Sequence, residues 1–121
     1  MSIAYWCVLI AGLLPYAATM IAKSKQGFDN AQPREWLAKQ EGFRARANAA
    51  QLNSFEAFPL FAAAVIIAQL RGAPADTVNT LAIVFVVARV AYIATYVANL
   101  AVLRSLVWLV GLVCAVAMFF V

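Results

Sequence analysis

The chain has 121 residues, of which 66% are hydrophobic and 12% charged, and its net charge is +4. A soluble domain is about half apolar and about a quarter charged, and a chain this short cannot bury the excess in one core. An integral membrane protein is the class that remains.

Residues 3–22 form the first apolar segment and contain no charge. About 20 mostly apolar residues suffice for a helix to span a bilayer. A secretory signal fits poorly, because the segment lacks a basic n-region and is too long for an h-region. The loop 23–43 then carries Lys23, Lys25, Arg34 and Lys39. Inside it, "PREWLAKQ" predicts a short surface helix, with Pro33 in its first turn and Trp36 and Leu37 at the interface. A solvated charged loop fits that pattern equally well.

The second span, 44–70, opens with Arg44 and Arg46 and holds one acid, Glu56. Arg71-Gly72-Ala73-Pro74 separates it from the third span, 76–100, whose apolar interior contains Arg89. The fourth, 104–121, begins at Arg104, is uncharged thereafter and lies at the short end of the spanning range. Strict two-residue alternation is absent, so a barrel is excluded. The expected fold is all-α, an integral membrane four-helix bundle of left-handed packing forming a single transmembrane domain, 1–121.

Lysine and arginine concentrate around the first loop. The positive-inside rule puts that loop in the cytoplasm and both termini on the opposite side. Arg104, in the third connection, falls on the cytoplasmic side as well. The positive charge thus reads as topology. No Lys/Arg run with interleaved aromatics marks a nucleic-acid surface, so no nucleic-acid partner is expected.

Several chemistries are excluded. There is no histidine, hence no imidazole base and no metal site of the usual kinds. Cys7 and Cys114 stand alone without CxxC spacing and read as packing residues. No glycine-rich phosphate loop is present.

What remains is a set of polar residues inside the spans. Arg46, Asn53 and Glu56 are seven and three residues apart and share one stripe of the second helix. Arg89, Tyr92, Tyr96 and Asn99 follow i, i+3, i+7 and i+10 on the third. A charge at the bilayer centre costs roughly 2.5–3.5 kcal/mol on insertion scales, so Glu56 and Arg89 should face the protein interior and find partners. Taken alone, they can be a pair that glues two helices. Asn53 alone can be an interhelical hydrogen bond, and the tyrosines alone packing aromatics. Two such stripes with Arg104 toward one side exceed what packing requires. Pro59 adds a polar group, because it cannot donate to the carbonyl of Phe55, one residue before Glu56.

These residues also carry a resemblance. An Arg-Ala step followed by "NSFEAFPLF" (53–61) resembles the second-helix pattern of the MAPEG family, the membrane-associated proteins in eicosanoid and glutathione metabolism. "ARVAYIATYVANL" (88–100) and "LRSLVW" (103–108) resemble its third and fourth helices, and size, spans and motif order match over the whole chain. Within the family the chain looks most like a bacterial-type relative of the microsomal glutathione transferases. The resemblance implies a homotrimer in the lipid bilayer with glutathione as cofactor between neighbours. Arg46, Asn53, Glu56, Arg89, Tyr92 and Tyr96 would then bind glutathione. Arg104 occupies the place of the arginine that stabilises the thiolate, and Ser105 follows as in the prostaglandin synthase branch, so both are the implied catalytic residues.

Glutathione has two carboxylates and one ammonium, which these residue types can match, and it brings its own sulfur. The implied activity is a glutathione transferase or peroxidase acting on lipophilic electrophiles or hydroperoxides. The alternative is a non-catalytic lipid- or glutathione-binding protein of the same family. A small antiporter using Glu56 fits less well, since its acid is expected in the first helix. Two departures stand out. Ala49 falls where the leukotriene synthase branch has a glutathione-binding arginine, a role Arg46 can take over from one turn earlier. Ala57 replaces a tyrosine.

Overall fold

The computed structural model describes residues 1–121 and contains helices only. In chain order these are α1 (Ile3–Ala22), α2 (Pro33–Ala38), α3 (Gly42–Leu70), α4 (Ala75–Val97) and α5 (Ala101–Ala117). α1, α3 and α4 are long and apolar enough to cross a membrane, and α5 is a shorter apolar helix of 17 residues. Five helices thus form where four apolar segments were expected. The extra one is α2, started by Pro33 in the basic loop and seated through its buried Leu37. Phe28 meets Trp36 edge-on at 5.0 Å beside it.

Side-chain pairs fix the register. Ser2 accepts from Gln69 at 2.8 Å, Thr19 donates to Gln51, and Tyr16 meets Phe55 at 5.6 Å, so α1 and α3 run antiparallel. Between α3 and α4, Asn53 faces Arg89 and Phe61 stacks on Phe85 with centroids 3.9 Å apart. Helix α5 returns along α4, with Gly111 beside Phe85 and Arg89 and Arg104 beside Tyr96. At the opposite end, the Ala4 N–H donates to Asn79 Oδ1 at 3.0 Å.

Small side chains set the helix spacing. The buried face of α1 is Ala4, Cys7, Ala11, Pro15, Ala18 and Ala22, and α3 answers with Ala47, Ala50, Ser54, Ala64 and Ala68. Lipid is as apolar as leucine, so helices in a bilayer associate by close backbone approach, which small residues permit. Cys7 and Cys114 are free thiols inside this core. Many bulky residues, among them Leu9, Leu13, Val87, Leu106 and Leu109, point outward, while Phe61, Val65, Phe85 and Met118 fill the centre.

Two of the spans end in the same way, and this displaces the expected boundaries. After α3, the Ala73 N–H donates to Ala68 O and the Gly72 N–H to Gln69 O, with Gly72 at φ 71. After α4, Leu100 donates to Thr95 O and Asn99 to Tyr96 O, with Asn99 at φ 62. Both are Schellman closures, which need a left-handed residue past the helix end. Asparagine tolerates that conformation. Asn99 therefore leaves the tyrosine face of the helix, and α5 starts at Ala101 instead of Arg104. Asn99→Val should lower stability in chemical unfolding by about 1–2 kcal/mol, while Asn99→Gly holds it. Equal midpoints for the two variants would refute this account of the turn.

Candidate functional site

The polar residues converge on the half of the bundle where the basic loop lies. Phe55 packs on Tyr16, six residues before the end of α1. Glu56 is therefore about 9 Å inside that end, at about 1.5 Å per residue.

Arg89 sits deepest and is 3% exposed. Its Nη2 donates to Asn53 Oδ1 at 2.8 Å and to Ser54 Oγ at 3.3 Å. Its guanidinium lies 4.2 Å from the Tyr92 ring centroid. On the α5 side Arg89 passes Gly111, where even a Cβ would make only an ordinary contact of 3.8 Å with Arg89 Cδ. The partners of Arg89 are thus an amide and a hydroxyl, in place of the Glu56 carboxylate that a helix-gluing pair would require. Glu56 does not face the interior of its own chain. It is exposed on the outer side of α3 and borders a groove of about 200 Å³ with Asn53, Ala57, Leu60, Phe85, Arg89, Trp108 and others.

A second compartment of about 250 Å³ adjoins the first, lined by Asn53, Tyr92, Tyr96, Arg104, Ser105 and Trp108. Asn53 and Trp108 line both, so the two lie side by side. Tyr92 and Tyr96 meet edge-on at 5.7 Å, and the Arg104 guanidinium rests 4.4 Å from the Tyr96 centroid. Arg104 and Ser105 lie in the first turns of α5, at the basic end of the bundle. The path runs from a cationic mouth at Arg104, past two phenols, to an amide, a carboxylate and an apolar floor.

Of the eight residues singled out in the sequence, seven line this path. Arg46 lies apart from it. Its Nε donates to Val97 O at 3.1 Å. The Schellman closure uses the carbonyls of Thr95 and Tyr96, which leaves that of Val97 for Arg46 to cap. Its terminal nitrogens are not needed for this bond.

The model of the MAPEG family matches residues 3–121. The chain belongs to the MAPEG family. No curated protein and no solved structure matches it. Membership and three membrane-length helices together make it an integral membrane protein.

Two contributors to this candidate site escaped the sequence reading. Ser54 sits one residue from Asn53, off the expected stripe, yet it is the buried second acceptor for Arg89. Trp108 is one turn beyond Arg104 and lines both compartments. An i+4 spacing from Arg104 was the available clue.

Proposed function

We propose that this MAPEG-family protein is a glutathione-dependent membrane transferase or peroxidase that acts on lipophilic electrophiles or hydroperoxides through a glutathione thiolate. The observation that carries the reading is Glu56. A carboxylate at membrane depth, turned away from its own chain, calls for a cationic partner supplied from outside. The ammonium of glutathione is such a partner, and the groove leads from it to Arg104. The chain assembles as a homotrimer in which the neighbour closes the open side of the groove, with the basic loop and Arg104 in the cytoplasm. An oligomeric mass in detergent corresponding to one chain would rule that assembly out.

The chemistry needs no nucleophile from the protein. Arg104 stabilises the sulfur as thiolate, because a nearby cation favours the charged form. Ser105 adds a hydroxyl donor. The thiolate attacks an electrophilic carbon, an S–C bond forms and the leaving group departs with its electron pair. With a hydroperoxide, sulfur takes the terminal oxygen, the O–O bond breaks and the alcohol is released. A second glutathione reduces the resulting sulfenic acid to disulfide and water. Substrate approaches from the bilayer along the apolar floor formed by Leu60, Phe85 and Leu112.

The test is to add glutathione at neutral pH and record the ultraviolet difference band of a thiolate. A band that saturates with glutathione supports the enzyme. Saturable binding without the band assigns the chain to the alternative, a non-catalytic glutathione-binding or lipid-binding member. Glu56→Gln should weaken glutathione binding about tenfold, the scale of one charge-assisted hydrogen bond. Unchanged affinity in the folded variant would remove Glu56 from the site.

A further inference from the structure

Arg89 is nearly sealed from solvent, yet its partner Asn53 lines both compartments of the groove. A guanidinium carries donors only, so the Asn53 atom that faces it has to be the carbonyl oxygen. The 2.8 Å contact to Oδ1 is that arrangement. The amide is planar, so its NH2 group is turned away from Arg89. Arg89 itself has little freedom, held between the Tyr92 ring at 4.2 Å and Ser54 Oγ at 3.3 Å.

We propose that Arg89 is a positioning residue that locks the Asn53 amide as a hydrogen-bond donor to the groove, so that the ligand group held at Asn53 is an acceptor oxygen, a carboxylate or an amide carbonyl. The assignment rests on the glutathione reading and adds a polarity to it. Asn53 and Glu56 lie one helical turn apart on α3 and present opposite demands. Asn53 offers a donor, and ionised Glu56 accepts only. A ligand with an oxygen acceptor and an ammonium in that order is favoured, and the reversed order leaves NH2 against ammonium and carboxylate against carboxylate. An unlocked asparagine would flip to suit either. The buried guanidinium therefore contributes to specificity through the orientation of Asn53.

Glutathione affinity, measured by calorimetry on the intact protein in detergent, tests this with Asn53→Ala and Asn53→Asp. Alanine removes a donor, and aspartate keeps a partner for Arg89 but turns an acceptor toward the ligand oxygen. The expected order is wild type, then Asn53→Ala about tenfold weaker, then Asn53→Asp weaker again by about tenfold. Thermal stability is expected in the opposite order for the two variants, since aspartate pairs with Arg89 and alanine abandons it. A merely structural Asn53 gives affinity that follows stability, with Asn53→Asp binding better than Asn53→Ala, and that result overturns the proposal. Arg89→Gln, which frees the amide to flip, should weaken binding in the wild-type background and add nothing in Asn53→Ala. Equal losses in both backgrounds also overturn it. Absence of glutathione binding by the wild-type protein overturns the functional reading and takes this assignment with it. Binding with the wrong variant order sinks the assignment alone.

Discussion

On the proposed function, Arg104→Leu should lower the rate of conjugation with a generic electrophile about a hundredfold at neutral pH, while the proposed trimer and most of the glutathione affinity persist. The magnitude is that of removing one preorganised group aimed at developing or resident negative charge. Arg104 is half-buried and stands over Tyr96 at 4.4 Å, next to Ser105 in the mouth of the groove. Its guanidinium stays charged at any working pH. Replacing it by leucine removes a cation that favours thiolate over thiol. The bound sulfur then titrates at higher pH, and the thiolate band should appear at correspondingly more alkaline values. The deficit in rate is therefore largest at and below neutrality and shrinks as the pH rises. A boundary arginine that merely anchors the helix end predicts none of this. An Arg104→Leu protein with full turnover and an unshifted thiolate titration would move the catalytic assignment elsewhere.

Arg89→Leu should have the largest effect on stability, a loss on the order of 3 kcal/mol. The substitution leaves Asn53 Oδ1 and the buried Ser54 hydroxyl without their donor. It also forfeits the contact over Tyr92, a cation–π interaction worth about 0.5–2 kcal/mol. Ser54→Ala should cost much less, because Arg89 keeps Asn53. Since Arg89 bonds to an amide and a hydroxyl, the effects of Arg89→Leu and Glu56→Gln on unfolding should add within about 0.5 kcal/mol. A coupling well above that would restore the ion-pair account of these two residues.

Two of the breaks between spans were legible because charge marks them, at Lys23 and Arg71, whereas Arg104 lies one turn inside α5. Arg89 was legible as an interior residue because the cost of exposing it to lipid is high. Its partners were not. Asn53, Ser54 and Glu56 lie within one turn of α3, and selecting among them requires the rotational phase of the helix. In water that phase is written in hydrophobicity, but in a bilayer the protein interior and the lipid are equally apolar. The phase of α3 is carried instead by side-chain size, through Ala47, Ala50, Ala64 and Ala68. The role of Arg46 was hidden for a different reason. Its bond to the Val97 carbonyl depends on Asn99 closing the helix in a left-handed conformation, and helical spacing alone made Asn99 look like one more member of the tyrosine stripe.

Helix α5 carries a guanidinium near each end. Arg104 lies in its first turn, and Arg71 donates to the carbonyls of Met118, Phe119 and Val121 just past its last. The fourteen-residue separation from Arg104 to Met118 is roughly 21 Å at about 1.5 Å per residue, against a hydrocarbon layer about 30 Å thick. Were both charges held at the edges of that layer, one side of the bundle would carry a hydrophobic mismatch. Acyl chains beside α5 would then have to shorten or splay, at a cost of a fraction of a kcal/mol per Å. Strained lipid is displaced more readily than relaxed lipid, so such a mismatch would leave a weak spot in the bilayer next to the groove, where an apolar guest would gain access by relieving the compression. Membrane thickness then becomes a control on the reaction. Turnover should decline in vesicles of progressively longer-chain phosphatidylcholines, and a rate indifferent to chain length would show that the bilayer is not pinched at α5.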